Sequence, residues 1–128
     1  MGICRGAQLI NVVLGGSLSQ NIRSLRQHTD NRPGLLPTKQ VQVSKGSLLA
    51  RILNTRHLRV NSLHHQSIRM TGANLKVVGW DLDNITQAIE SKEDNIIGLQ
   101  WHPEYLIYLP SQFAIFRWLI KCTKRGTF

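Results

Sequence analysis

Met1-Gly2-Ile3-Cys4-Arg5-Gly6-Ala7-Gln8 opens the chain and constrains its folding more than any other segment. An apolar pair runs into a cysteine, with small residues around it and a helical pattern after it. This is the sequence form of a nucleophile elbow, in which a strand turns sharply into a helix and presents one side chain at the bend. Such a turn needs glycine or other small residues, because its backbone is strained and strand and helix pack closely. The N-terminus of the following helix favours the thiolate, the form of cysteine that attacks. A strand usually runs about five or six residues. Only Met1, Gly2 and Ile3 precede the cysteine, so the strand is expected to be a stub.

Leu99-Gln100-Trp101-His102-Pro103-Glu104 supplies the complementary chemistry. In an extended segment, positions i and i+2 point the same way. A carboxylate beside an imidazole fixes its tautomer and stabilises its charged form. One cysteine, one distant histidine and one carboxylate complete a parts list for nucleophilic acyl transfer. Pro103 restricts its own backbone and that of His102, which disfavours helix there.

Periodicity predicts an α/β chain. Gly2-Ile3 is the strand stub, and a helix follows from Arg5 to Leu14, with Leu9, Ile10, Val13 and Leu14 as its apolar face. Gly15-Gly16 stop it. Residues 17–38, with Asn31, Pro33, Gly34 and Pro37, read mostly as loop. Strands are expected at Gln40–Val43 and Leu58–Asn61, the second delivering a turn at His64-His65. Between them Ser47 caps a short helix through Leu53. Leu75–Leu82 and Thr86–Glu90 pair around Asp83-Asn84, and Ile96–Trp101 is a buried strand ending at His102. Ser111 is expected to cap a last helix, Gln112–Lys121, whose larger side chains Phe113, Phe116, Trp118 and Leu119 read as core.

The 128 residues, 41% of them hydrophobic, fit one domain spanning 1–128. No apolar run approaches the length of a membrane span, and no signal-peptide pattern opens the chain. Cys4 and Cys122 are the only cysteines and make no disulfide framework, so the expectation is a reduced, cytoplasmic protein. The net charge is +9. Eleven Lys/Arg and one acid, Asp30, lie between Arg5 and Lys76, whereas six acids and one base, Lys92, lie between Asp81 and Glu104. The cations are scattered and no aromatic platform interleaves with them. They are therefore read as solvated surface rather than as a nucleic-acid footprint. The adjacent His64 and His65 lack a third ligand at metal spacing, so no metal site is expected.

Three blocks together resemble the class I glutamine amidotransferases, most closely the peptidase C26 subgroup of γ-glutamyl hydrolases that act on γ-glutamyl-γ-aminobutyrate-type substrates. They are Gly2-Ile3-Cys4-Arg5-Gly6-Ala7-Gln8, continuing through Asn11-Val12 and Gly15-Gly16-Ser17-Leu18; Val60-Asn61-Ser62-Leu63-His64-His65-Gln66; and Ile97-Gly98-Leu99-Gln100-Trp101-His102-Pro103-Glu104. The resemblance implies the C-terminal part of a flavodoxin-like three-layer sandwich with an incomplete sheet, a truncated glutamine amidotransferase domain over 1–128. It implies Cys4 as nucleophile, His102 as base and acid, and Glu104 as the partner that orients His102. It implies that Arg5, Gln8 and the Ser62-Leu63-His64-His65 segment serve the substrate, with the Arg5 N–H as an oxyanion donor. The implied substrate is small, glutamine or γ-glutamyl-γ-aminobutyrate, cleaved through a thioester with no cofactor.

The chain also departs from that pattern. Family members carry an N-terminal region with the first strands and a glycine-rich oxyanion loop, which is expected to be absent here. Asp83-Asn84 stands where Asp-Gly is common, and Gln87 where an acid precedes Ala-Ile. Two readings follow. One is an enzyme, active if another chain supplies the missing sheet and loop. The other is non-catalytic: an inactive remnant that retains the motifs, or an interaction or structural protein that folds only as a dimer or scaffold. The expected partners are a small γ-glutamyl substrate and either a second copy or a complementing N-terminal chain.

Overall fold

In the computed structural model, residues 1–93 and 95–125 are described. The stub strand β1 (Gly2–Ile3) survives because β8 (Ile97–Leu99) holds it in parallel register, Gly2 beside Gly98 and Ile3 beside Leu99. The remaining elements are α1 (Arg5–Val13), β2 (Ser17–Ser19), β3 (Gly34–Val43), α2 (Leu48–Leu53), β4 (His57–Ser62), β5 (Ser67–Met70), β6 (Leu75–Trp80), β7 (Thr86–Ser91), a 3-10 turn (Pro103–Tyr105) and α3 (Pro110–Lys124). The main sheet runs β1-β8-β7-β6-β3-β4, and β2 pairs with β5 in a small second sheet. β1–β8 is the parallel pair; the other ladders are antiparallel. No strand lies beyond β1 among the described residues.

Alternation along the strands makes three layers. Ile97 and Leu99 join Val41, Val60, Val78, Leu49, Leu53 and Ile115 in a core shared with α2 and α3. Ile89 turns to the other face, where it meets Ile68, Leu75 and, from α1, Ile10. On this second face a Cβ on Gly98 would stand 2.8 Å from Ile89 and 3.0 Å from Ala7. A Cβ on Gly2 would stand 2.6 Å from the carbonyl carbon of Gly6. The glycines therefore let α1 lie against the sheet at backbone distance.

That close approach overturns most of the expected apolar face of α1, of which Ile10 alone packs inward. Leu9 is 64% exposed and Val13 73%, while Ala7, Gln8 and Asn11 are buried. Leu14 caps the helix and is exposed. Polar residues take the inner face because they bond to backbone there. Asn11 Nδ2 donates to Met70 O at 2.9 Å, and Asn11 Oδ1 accepts from Gly72 N at 2.8 Å.

Residues 17–38 are also more ordered than a loop. They contain β2 and the first half of β3, and β5 had no sequence counterpart. The β3–β4 register shifts between Gly34 and Lys39. Pro37 lies in that gap, and proline has no N–H to give a ladder. Elsewhere the local signals translate directly. Ser47 Oγ accepts from Ala50 N at the start of α2. Asn84 adopts φ 60° at the β6–β7 turn. Ser111 does not cap α3: the helix starts one residue earlier, with Pro110 in its first turn and Leu109 as an N-cap without a side-chain bond. Proline suits that position, where its missing N–H is not needed. Phe113, read as core, is exposed, and Gln112 and Ile115 are the buried residues of α3.

Gly2→Ala is expected to cost about 1–3 kcal/mol of stability, because the added methyl meets backbone that cannot retreat. Gly6→Ala faces open space within a helix and is expected to be neutral or to stabilise by up to about 1 kcal/mol. Urea denaturation of the two variants checks the contrast.

Candidate active site

The C-terminal ends of β1 and β8 lie side by side, so the residues after them share one edge of the sheet. The Cys4 backbone N–H donates to Leu99 O at 2.7 Å. Cys4 then turns at φ 52° and ψ −106°, and α1 begins at Arg5. Positive φ in a non-glycine residue is strained, and such strain persists only where the surroundings enforce it. Here the β8 hydrogen bond before Cys4 and the helix after it supply that enforcement.

Two donors address the Cys4 sulfur: the Arg5 backbone N–H and Gln100 Nε2 at 3.6 Å. Burial nevertheless outweighs them and pushes the Cys4 thiol up from its ordinary value. The Arg5 N–H at the helix start does favour the thiolate, as expected, but burial outweighs it in this resting arrangement.

His102 is held from two sides. Asn61, fully buried at the end of β4, grips its backbone: Asn61 Nδ2 donates to His102 O at 2.9 Å, and His102 N donates to Asn61 Oδ1 at 2.8 Å. The ring's Nδ1 pairs with Glu104 Oε1 at 2.5 Å. An Nδ1–H directed to the carboxylate leaves Nε2 as the basic nitrogen of the neutral ring. His102 and Glu104 do not meet across an extended segment as the sequence suggested. A 3-10 turn begins at Pro103, and the pair meets across it. Among the described residues, the side-chain hydrogen bond to Cys4 Sγ comes from Gln100 rather than His102.

A cleft of about 320 Å³ is lined by Cys4, Arg5, Gln8, Gln20, Leu63, His64, His65 and Gln66. It gathers five of the eight anticipated site residues. His102 and Glu104 lie outside this lining, and Ser62 is buried at the end of β4. Gln8, which the helical pattern alone left open to solvent, turns inward: its Nε2 donates to Gln66 O at 3.1 Å and to Gln100 Oε1 at 3.0 Å. His64 is buried, and its Nδ1 donates to Gln66 O at 2.7 Å. Burial holds His64 neutral, its pKa pushed down to about 4. His65 is exposed and accepts from Arg23 Nε at 3.3 Å.

Sequence reasoning assigned no role to Gln100, Asn61, Gln66 or Arg23. The first three sit inside the quoted blocks, which was the available signal; Arg23 had none. A larger hollow of about 480 Å³ lies over β3, β4 and β6, lined by Gln40, His57, Arg59 and Trp80 among others. It contains no nucleophile, so chemistry rather than size selects the Cys4 cleft. Among the described residues, no three His, Cys, Asp or Glu side chains could share a metal ion, and no helix is long and apolar enough to cross a membrane.

The layered α/β fold with this elbow is that of the class I glutamine amidotransferases. A Thermotoga maritima glutamine amidotransferase superposes with TM-score 0.58 over 99% of this chain and 49% of that one, at 17% identity. A Methylobacillus flagellatus glutamine amidotransferase gives TM-score 0.60 over 80% and 37%, at 18% identity. These two likenesses concern the fold. The chain belongs to the Peptidase C26 family, whose model matches residues 1–104. It is 38% identical to a Schizosaccharomyces pombe protein described as a candidate glutamine amidotransferase, over 97% of this chain and 50% of that protein. It is 32% identical to the gamma-glutamyl-gamma-aminobutyrate hydrolase PuuD of Escherichia coli, over 93% and 50%. The chain thus spans about half the length of these curated relatives.

His64 makes stability depend on acid. Its folded pKa lies near 4, below the ordinary 6.5, so the unfolded chain binds the proton more readily. Its contribution is complete above about pH 6.5 and is lost as pH falls toward 4. Over that window the native chain is expected to lose on the order of 3 kcal/mol more than a His64→Gln variant. Paired urea melts at pH 7 and pH 4 measure the difference.

Proposed function

We propose that this chain carries the nucleophile, base and orienting acid of a γ-glutamyl amide hydrolase that works through a thioester. The observation that carries the reading is the elbow: Cys4, at positive φ, ends the strand beside the one that leads to His102, itself paired with Glu104 at 2.5 Å. In this reading His102 Nε2 takes the proton from Cys4 Sγ as the sulfur attacks the γ-carbonyl of a small γ-glutamyl substrate. The Arg5 N–H receives the developing oxyanion. The carbon–nitrogen bond breaks, His102 returns its proton to the departing amine, and a thioester remains. Water, deprotonated by His102, cleaves the thioester to free glutamate and the thiol. No metal or organic cofactor is required. Arg5, Gln8, Ser62, His64 and His65 are assigned to the glutamyl end, with Gln8 and Ser62 acting from buried positions.

The resting geometry supports one addition. The thiol is raised by burial and lies without a bond to His102, so the attacking arrangement requires a shift. We assign that shift to substrate together with a second polypeptide, another copy or a complementing chain, seated at the outer edge of β1. α1, which packs on β1, also exposes Leu9, Val12 and Val13. A reduced cytoplasmic setting fits two cysteines, Cys4 and Cys122, that are not joined in a disulfide. The second reading, a non-catalytic protein that retains the motifs, is favoured by the same pairing of the sulfur with Gln100 rather than His102.

Incubation with γ-glutamyl-p-nitroanilide separates the two. An enzyme is expected to release p-nitroaniline, to show a glutamyl adduct on Cys4 by mass spectrometry, and to lose about a thousandfold or more in kcat in Cys4→Ser and in His102→Asn. Turnover that survives Cys4→Ser would overturn the triad. Absence of both turnover and adduct would support the non-catalytic reading.

A further inference from the structure

The carbonyl of Gln66 is a fixed reference point beside Cys4. A backbone oxygen can only accept, so any nitrogen facing it must donate. Two nitrogens do so, His64 Nδ1 at 2.7 Å and Gln8 Nε2 at 3.1 Å. The Gln8 amide is thereby oriented. Its Nε2 also donates to Gln100 Oε1 at 3.0 Å, which commits the oxygen of Gln100 to Gln8. The nitrogen end of Gln100 is then the end left facing Cys4 Sγ, 3.6 Å away. Gln8 is 6% exposed and Gln100 2%, so little water reaches either amide to reverse it.

A glutamine amide is nearly symmetrical in shape and opposite in polarity at its two ends. Turned one way, Gln100 gives the sulfur a donor, which favours thiolate; turned the other way, it gives a carbonyl, which opposes thiolate. Packing alone does not choose between the two. The run of donors from Gln66 O through Gln8 does.

We propose that Gln8 is a positioning residue that sets the direction of the Gln100 amide, so that an N–H rather than a C=O faces the Cys4 sulfur. The proposal rests on the reading of Cys4 as nucleophile, and it moves Gln8 from holding substrate to preparing the thiol. Its chain of contacts spans elements far apart in sequence: α1, the turn before β5, and the segment after β8. The other charged groups bearing on Cys4 are Arg5, which favours thiolate, and Glu104, which opposes it. His64 and His65 share the cleft and His102 lies beyond it. None of these is altered in the variants below.

The test reads the thiol directly. Iodoacetamide alkylation of the Cys4 peptide is followed by mass spectrometry in the full-length chain between pH 6 and 10, with circular dichroism confirming the fold. Gln100→Met keeps length without a donor. It is expected to move the midpoint of the pH–rate profile upward and to slow alkylation at pH 7 by about tenfold. Gln8→Met is expected to move the midpoint in the same direction by a smaller amount. The double variant is expected to match Gln100→Met alone, because Gln8 acts through Gln100. If Gln100→Met fails to fold, Gln100→Leu replaces it. Its side chain offers the sulfur no donor and adds no charge, so the same upward shift is expected. An unchanged midpoint in Gln8→Met would overturn the proposal, as would effects that add in the double variant. The readout needs no substrate, so absent γ-glutamyl turnover would sink the proposed reaction and leave this result standing.

Discussion

Everything at the candidate site depends on how closely α1 lies on the β1–β8 pair. Gly2 and Gly98 stand opposite one another in that pair, and neither position has room for a methyl group. The resulting approach is close enough for Ala7 to meet the sheet beside Ile10 and for Gln8 and Asn11 to reach the backbone of β5 and the turn before it. A helix held farther out would need leucines on its inner face. It would also carry the first turn, and with it the Arg5 N–H, away from the sulfur. The backbone strain at Cys4 and the polar inner face of α1 are therefore two results of one steric condition.

The electrostatics around the cysteine are finely opposed. Burial raises the thiol, and two N–H donors lower it without prevailing. A neutral histidine, His64, lies in the same cleft and is kept from protonation by its own burial. Of the charged groups bearing on the sulfur, Arg5 favours the thiolate and Glu104 opposes it. Burial thus holds the resting sulfur toward its thiol form.

What could be read from the sequence was what local chemistry decides. The elbow was legible because glycines flank a cysteine between an apolar pair and a helical run. The Ser47 cap and the left-handed Asn84 were legible because single side chains specify them. The inner face of α1 was not, because Asn11 and Gln8 are buried by bonds to residues 59 and 92 positions away, which no helical period encodes. Strand β5 was missed for a related reason: it pairs with β2, a partner equally short, and neither carries enough alternation to be recognised alone. Of the site, the reactive side chains were visible and their supports were not. Asn61 and Gln100 lay inside quoted motifs, but their roles arise only when β4 and the end of β8 are brought together.

Asn61 also reveals something about the sheet as a mechanical object. In the strand order, β4 and β1 are the two extremes, yet Asn61 from β4 holds the backbone of His102, which follows the strand beside β1. The sheet must curl for its far margin to reach back in this way. Curvature from β8 round to β4 thus acts, together with the local β1–β8 pairing, on where the His102 backbone stands relative to Cys4. A bend or relaxation in the β3–β4 ribbon, distant from the cysteine, would move the far anchor of that backbone.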